Sequence, residues 1–157
     1  MQIFKISNKI KFYHGSYDQL PNNTILSPDK GNFVKNISQN TMDSHFKLEQ
    51  FKPPQYLSRN NAVYMTDNID DLDSVGAPTD YIYLVNPLGK VEKHDLNWMT
   101  EIDIIFSDSS ENNTQEDNET IEKIKSAALN YWNGAPHYNE SAWEYLTPSA
   151  VIIKELI

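Results

Sequence analysis

Three short segments carry residue types that can do chemistry, and each lies where a strand is predicted to begin or end. They are residues 13–16 (YHGS), 63–66 (VYMT) and 143–146 (WEYL). A histidine can hydrogen-bond a hydroxyl, a glycine admits a ligand closely, a strand-held tyrosine can stack on a flat ring, and a carboxylate stabilises developing positive charge. Each residue alone is more often structural, but the ordered combination is harder to obtain by accident.

Other chemistries lack their motifs. The four histidines are far apart without zinc spacing, and cysteine is absent, so thiolate metal sites, disulfides and cysteine nucleophiles are excluded. The acidic segment 67–73 lacks the turn glycine and closing glutamate of a calcium loop. No phosphate-binding loop, dinucleotide-binding glycine motif or hydrolase nucleophile elbow occurs. We therefore expect no metal cofactor.

Charge and composition limit the partners and the location. The chain has 157 residues and a formal net charge of -9, and Arg59 is its only arginine. Binding to a phosphate backbone needs clustered cations, so nucleic acid is not an expected partner. The start has no apolar core of a secretory signal, and no apolar run reaches membrane-spanning length. Together with the lack of cysteine, these features predict a cytoplasmic protein without membrane contact.

The candidate segments are positioned mainly by predicted strands. Alternating apolar and polar residues predict a strand over 3–13, and the run 81–85 (YIYLV) predicts another before a turn at 86–89. Shorter strand-like runs occupy 61–66, 143–146 and 150–157. With one or two helices, this pattern indicates a single α+β domain over residues 1–157 with a mainly antiparallel sheet.

The remaining segments are predicted to be one long helix, one short helix and several loops. Apolar residues at helical spacing predict a helix over 120–132, which Asn133 and Gly134 end. A short helix is predicted to open at 67–72, and the irregular region 19–54 holds at most a helical turn near 45–51. The acidic, low-complexity stretch 107–119 is predicted to be a mobile loop.

The ordered segments resemble the H-Y-E arrangement of the ADP-ribosyltransferase superfamily, in its poly-ADP-ribose polymerase branch. That branch has a His-Gly-Ser turn, a strand with a tyrosine and a late Glu-Tyr segment, which His14, Tyr64 and Glu144 match here. The resemblance implies a split β-sandwich of two mainly antiparallel sheets with one or two helices. It also implies NAD as co-substrate.

Residues 12–98 also resemble the rifampin ADP-ribosyltransferases. In that family the acidic residue follows the strand that YIYLVNPLG resembles, which here indicates Asp95. The sequence therefore offers two acids, Glu144 and Asp95, for one role. The stretch 99–140 departs from the family, so the resemblance does not identify the acceptor. The matching segments are residues 13–15 (YHG), 26–28 (LSP), 62–66 (AVYMT), 81–89 (YIYLVNPLG) and 91–97.

The resemblance implies a role for each site residue. Cleavage of the bond between nicotinamide and ribose leaves an oxocarbenium-like sugar, which the Glu144 carboxylate would stabilise. His14 would hold the distal ribose, and Tyr64 would stack on the nicotinamide. These three residues are the expected catalytic set. The expected NAD-binding set is Tyr13, Gly15, Ser16, Thr66 and Asp95.

The expected activity is mono-ADP-ribosyl transfer from NAD to a protein or small-molecule acceptor, with release of nicotinamide. Ala142 stands where arginine-modifying relatives have Glu or Gln, which disfavours an arginine acceptor. Two alternatives remain open: an NAD glycohydrolase, with water as acceptor, and a catalytically inactive binding module of the same fold. We expect the loops 19–60 and 107–119 to choose the acceptor. The sequence does not predict an oligomeric state.

Overall fold

A computed structural model describes residues 10–31, 39–114 and 117–157. Within these ranges the chain forms two antiparallel sheets and several helices, more than the one or two expected. The prediction of an α+β fold is therefore confirmed. Two sheets in this arrangement are compatible with a split β-sandwich.

Four strands form the first sheet. Its central strands are the predicted apolar runs, because β-branched and aromatic residues fit a pleated surface that is buried on one face. All neighbours pair antiparallel, and the outermost strand at one edge is the one that carries His14. In spatial order the strands are β1 (Phe12–Ser16), β4 (Tyr81–Pro87), β7 (Ala150–Glu155) and β2 (Ile25–Leu26).

Three strands form the second sheet, with the Glu144 strand at its centre. In spatial order they are β3 (Val63–Met65), β6 (Trp143–Thr147) and β5 (Glu92–Asp95). Tyr64 pairs with Leu146, and His94 pairs with Glu144. Because side chains alternate along a strand, Tyr64, Leu146 and Glu144 point to the same face of this sheet.

Helices cover one face of the second sheet. The longest begins just after Asp95, and the last is started by the Asp117 side chain, which accepts a hydrogen bond from the Glu119 N–H at 2.7 Å. Two 3₁₀ turns, Arg59–Asn61 and Ile69–Asp71, flank β3. The helices are α1 (Pro28–Gly31), α2 (Gln39–Gln50), α3 (Asn97–Asn112) and α4 (Asn118–Trp132).

The core has two main layers. One lies between the sheets and contains Phe12, Val63 and Tyr83. The other lies between the second sheet and the helices and contains Ile102 and Trp132. The second sheet is thus covered on both faces, so polar side chains on its helix-facing side are buried and need hydrogen-bond partners.

Several predicted boundaries need correction. Residues 107–112, predicted to belong to a mobile loop, are the last turns of α3. The helical turn predicted near 45–51 belongs to the 12-residue helix α2. The strand predicted over 3–13 is a strand from Phe12 onward, and residues 1–9 lie outside the described part of the chain.

The missed helix has a physical explanation. Trp98, Ile102 and Ser109 are buried and lie on one stripe, with the partly buried Ile105 and Phe106 between them. The opposite side of α3 is polar and acidic, and this composition is also typical of a solvated loop. The stripe packs into the core beside α4, and this tertiary contact stabilises a segment with modest helix propensity.

Candidate functional site

In the part of the chain that the structure describes, the two sheets meet at a single backbone bridge. The Tyr13 N–H donates to the Thr66 carbonyl at 2.8 Å, and the Thr66 N–H donates to the Tyr13 carbonyl at 2.9 Å. An antiparallel ladder would continue from this bridge to Gly15 and Tyr64, yet the described strands form no further pair there. We call the gap beyond the bridge, between Gly15 of β1 and Tyr64 of β3, the split.

The peptide groups of Gly15 point into the split. Tyr13 and Gly15 are two residues apart on one strand, so their N–H and C=O groups point to the same side. For Tyr13 that side is the one that faces β3. The Gly15 residue therefore presents one donor and one acceptor, side by side, at the edge of the first sheet.

Gly15 is required by close packing as well. A Cβ atom at this position would lie 1.8 Å from the Pro78 carbonyl oxygen. Only a residue without a side chain lets the segment 77–78 cross β1 here. The glycine thus fixes the position of the loop that borders the split.

His14 is a neutral, oriented hydrogen-bond acceptor. Its Nδ1 lies 2.8 Å from the Tyr64 carbonyl oxygen, which can only accept, so Nδ1 carries the proton. Burial lowers the pKa of His14, which keeps the ring neutral. Nε2 is left as the acceptor. The His14 ring thus hydrogen-bonds the Tyr64 carbonyl, which would accept from the Gly15 N–H if the ladder continued.

The hydroxyls of Ser16 and Thr66 shape the turns that leave the two strands. The Ser16 Oγ accepts from the Asp18 N–H at 3.0 Å. The Thr66 Oγ1 donates to the Asn68 carbonyl at 2.9 Å. Both residues border the split through their backbone, and Tyr13 borders it through the bridge.

Tyr64 turns its ring away from the split, toward the helices. The ring is 3% exposed, and its hydroxyl donates to the Arg59 carbonyl at 2.5 Å. The Arg59 guanidinium carbon lies 5.1 Å from the ring centroid, which is within cation–π range. In this conformation Tyr64 contributes its carbonyl to the split, while its ring belongs to a buried polar cluster.

Glu144 lies in that cluster, bound to the only arginine of the chain. Arg59 Nε lies 3.1 Å from Oε2 and Arg59 Nη2 lies 3.1 Å from Oε1, which is a bidentate ion pair. The Tyr131 hydroxyl also donates to Oε2. Glu144 is 1% exposed and Arg59 is 3% exposed. The carboxylate is therefore held by two partners on the helix-facing side of the second sheet.

The charges within the cluster support one another. Burial opposes the charge of Arg59, but Glu144, Tyr64 and Tyr131 together hold the pKa of Arg59 well above its usual value. Burial and the Glu144 charge raise the pKa of Tyr131, so its hydroxyl stays protonated and donates. Arg59 and Glu144 thus form an ion pair, and the neutral Tyr131 hydroxyl stabilises it by donating to the carboxylate.

His45 completes the cluster from α2. Its Nδ1 lies 2.7 Å from Arg59 Nη1, a group that can only donate, so Nδ1 accepts. Nε2 then carries the proton and donates to Asn60 Oδ1 at 2.8 Å. Burial and the Arg59 charge both lower the pKa of His45, which agrees with a neutral ring.

Two further carboxylates hold the segment that carries Arg59. Glu92 of β5 accepts from the Leu57 N–H at 2.9 and 3.0 Å. Glu49 of α2 accepts from the Ser58 hydroxyl and, at 3.4 Å, from the Arg59 N–H. The guanidinium is therefore presented to Glu144 by a backbone that is anchored on both sides.

Asp95, the second candidate acid, is fully buried and serves the backbone. Its Oδ1 accepts from the N–H groups of Asn97 and Ala142 at 3.1 and 2.9 Å. Its Oδ2 accepts from the His137 N–H at 2.8 Å. The side chain thus ties the end of β5 to the start of α3 and to the segment that precedes β6.

The structure brings some of the predicted residues together and separates others. Gly15, His14 and the Tyr64 carbonyl meet at the split, whereas the Glu144 carboxylate lies among the helices and Asp95 lies at the far edge of the second sheet. Sequence analysis missed Arg59, Tyr131 and His45 as partners of Glu144. The one available signal was that a lone arginine in an acidic chain needs a particular carboxylate if it is buried.

Acid should destabilise this fold through its two buried neutral histidines. The pKa values of His14 and His45 are lowered from 6.5, so below that pH the unfolded chain binds protons that the folded chain excludes. The stability from the neutral rings is complete above pH 6.5 and is lost as the pH falls. We expect the free energy of unfolding to fall by up to about 1.4 kcal/mol per pH unit for each histidine.

Urea denaturation at about pH 7.5, 6.5 and 5.5 measures this dependence. A His14→Asn variant provides the comparison, because it removes one of the two histidines, and its slope should be smaller than that of the parent chain. A free energy of unfolding that stays constant between these pH values would contradict the assignment of two neutral rings.

No protein-family model matches the sequence, and no curated protein matches it significantly. No helix in the described ranges is long and apolar enough to cross a membrane. Within the same ranges, no three His, Cys, Asp or Glu side chains lie together as metal ligands would. The function must therefore be argued from the geometry of the split and the buried cluster.

Proposed function

We propose that this protein is an NAD-dependent mono-ADP-ribosyltransferase that binds the nicotinamide end of NAD in the split. The observation that carries the proposal is the paired Gly15 N–H and C=O beside the fixed His14 ring. The two antiparallel sheets joined at one bridge are compatible with the split β-sandwich of that superfamily. The acceptor in this proposal is a protein or small molecule, and the location is cytoplasmic.

The Gly15 peptide matches the carboxamide of nicotinamide. A carboxamide has an N–H donor and a carbonyl acceptor, so it can take both Gly15 groups as a neighbouring strand would. The missing Cβ and the crossing of residues 77–78 keep this edge narrow, which suits a flat ring. Where a bound ring excludes water, hydrogen bonds formed there gain strength from the low dielectric.

His14 matches a ribose hydroxyl. A neutral ring whose Nδ1 donates to the Tyr64 carbonyl keeps Nε2 as its acceptor. Because His14 is 2% exposed, this nitrogen must become accessible from the split when NAD binds. A hydroxyl is a donor that fits this nitrogen, whereas a general-acid role does not suit a neutral ring of lowered pKa. His14 is thus proposed to orient NAD through a sugar.

Glu144 is the acid proposed to face the developing sugar cation. Its two carboxylate oxygens already pair with the Arg59 guanidinium, and the group is buried. Transfer therefore requires the Glu144 carboxylate to become accessible from the split. The Arg59 charge also offsets part of the negative field that an oxocarbenium ion needs.

This same ion pair favours a second candidate function, an NAD-binding module without turnover. In that case Glu144 is a structural anchor and the split only recognises the ligand. Asp95 does not replace it, because three backbone N–H groups already occupy its oxygens.

Proton NMR of NAD incubated with the protein distinguishes the candidates. Free nicotinamide that appears with protein alone indicates glycohydrolase activity, whereas nicotinamide that appears only with an acceptor, such as the proteins of a lysate, indicates transfer. Saturation transfer from protein to NAD without nicotinamide release indicates the binding module. If NAD is neither bound nor cleaved, the proposal fails in both forms.

The His14→Asn variant tests the split directly. Asparagine can keep a donor near the Tyr64 carbonyl but loses the Nε2 acceptor, so we expect NAD affinity to fall by about tenfold, the loss of one good hydrogen bond. Affinity for nicotinamide alone should not change, because it has no ribose. Calorimetric titration with both ligands measures this, and an equal loss for both would indicate that the variant disturbs the fold instead.

A further inference from the structure

An exposed aromatic stack stands apart from the split, on α3 and the segment before β6. Tyr138 is 74% exposed, and its ring stacks on the His137 ring. The two ring centroids are 4.2 Å apart, with an interplanar angle of 27°. Trp98 packs edge-on against both rings, with its ring centroid 4.7 Å from that of His137 and 6.0 Å from that of Tyr138. We call Tyr138, His137, Trp98 and Glu101 the aromatic platform.

The aromatic platform is held in place by hydrogen bonds. The Tyr138 hydroxyl donates to Glu101 Oε1 at 2.8 Å, and the Trp98 indole N–H donates to the Ala135 carbonyl at 2.8 Å. The His137 N–H is fixed to buried Asp95. Because Tyr138 is already ordered, a ligand that covers its outer face pays little conformational entropy for that side chain.

Glu101 gives the aromatic platform a negative rim. Burial opposes its ionisation, but hydrogen bonds from Tyr138 and His137 lower the pKa of Glu101 below its usual value. Both bonds go to Oε1, and in the described part of the chain no lysine or arginine pairs with this carboxylate. Its Oε2 is therefore available to a donor from outside.

The Glu101–His137 pair is not arranged as a catalytic dyad. His137 Nδ1 accepts from the Asn139 N–H at 3.2 Å, so Nε2 carries the proton and donates to Glu101 at 3.0 Å. The unprotonated Nδ1 is already occupied by the Asn139 N–H, so it is not free to act as a base. A binding role fits this geometry better than a catalytic one.

We propose that the aromatic platform binds the guanidinium group of an arginine side chain on a partner protein. A guanidinium is planar and cationic, so it can stack on the exposed face of Tyr138 and donate to Glu101 Oε2 at the same time. The net charge of -9 attracts such a partner, and the only arginine of this chain is buried with Glu144.

This proposal does not rest on NAD chemistry. The split borders β3, at one edge of the second sheet, whereas the aromatic platform is attached to the end of β5 at the other edge. Two functions at opposite edges of the sheet can be tested independently. Loss of NAD binding would leave the arginine proposal unaffected, and the reverse holds as well.

The test is a titration of ¹⁵N-labelled protein with short capped peptides, followed by NMR. The probe is acetyl-Gly-Arg-Gly-amide, and the same peptide with citrulline is the control because citrulline has nearly the same shape without the charge. We expect the Arg peptide to shift the amides of 137–140 and the Trp98 indole N–H. A peptide with lysine should bind more weakly, since an ammonium does not stack.

Variants separate stacking from charge. Tyr138→Ala should raise the dissociation constant for the Arg peptide about two- to fivefold, and Glu101→Gln should raise it about tenfold. Tyr138→Phe keeps the ring and should bind nearly as well as the parent. Tyr17→Ala, at another exposed tyrosine, should have no effect.

Three outcomes would overturn the proposal. Equal shifts with arginine and citrulline would remove the charge argument, and unchanged binding by Glu101→Gln would do the same. Stronger localised shifts with adenosine than with the Arg peptide would identify the surface as a site for a neutral flat ring. Amide spectra of each variant show that it is folded before it is titrated.

Discussion

The Glu144→Gln variant is expected to lose about 3–5 kcal/mol of its free energy of unfolding, because it leaves the Arg59 charge buried without its partner. Burial gives the guanidinium no water to compensate, and Tyr131 loses its anionic acceptor. Arg59→Met should lower the free energy of unfolding by a similar amount, because it leaves the Glu144 carboxylate buried without its cation. Urea denaturation at about pH 7.5 measures both changes. At this pH the buried His14 and His45 make no pH-dependent contribution.

A double variant identifies the ion pair as the cause. Arg59→Met combined with Glu144→Leu removes both charges, so it should cost clearly less than the sum of the two single changes. Glu119→Gln is the matched control, since it breaks an exposed ion pair with Lys123 and should change stability by less than about 0.5 kcal/mol. Additive single costs would mean that the two side chains do not interact in solution.

The Glu144→Gln variant also tests the proposed catalytic role of Glu144. If Glu144 stabilises the sugar cation, nicotinamide release by folded Glu144→Gln should fall about 10²–10³-fold while NAD still binds. Release measured at a temperature well below the unfolding transition separates this from lost stability. Unchanged release would remove Glu144 from the catalytic role and leave it as a structural anchor.

Gly15→Ala is expected to disrupt both the fold and the split. Its Cβ would lie 1.8 Å from a backbone carbonyl oxygen of Pro78, which cannot swing aside as a flexible side chain can. The loop must move, at a cost of about 1–3 kcal/mol or more, and the lining of the split moves with it. We expect a lower melting temperature and loss of nicotinamide binding.

Ser16→Ala on the same strand is the control for Gly15→Ala. It removes only the hydrogen bond from the Asp18 N–H, so its melting temperature should fall by less. Thermal denaturation followed by circular dichroism and calorimetric titration with nicotinamide give the two measurements. A Gly15→Ala protein with parental melting temperature and affinity would show that the loop 77–78 does not cross β1 this closely.

Local signals in the sequence determined much of the secondary structure. The run YIYLVNP is β4, the helical spacing after Thr120 is α4, and the His-Gly-Ser segment lies at the end of β1, because periodicity and turn chemistry are properties of neighbouring residues. These signals also predicted the α+β class. They failed for 107–112, where an acidic surface concealed a helix that is stabilised by its buried stripe.

The tertiary structure alone decided which of these residues meet. Arg59 and Glu144 are 85 positions apart, and His14 and Tyr64 are 50 positions apart, so no local pattern encodes either contact. The order of the strands and the single bridge between the sheets place Gly15 and His14 at the split. The alternation of β6 directs Glu144 to the helices. A strand pattern shows which residues share a face, but only packing decides what covers that face.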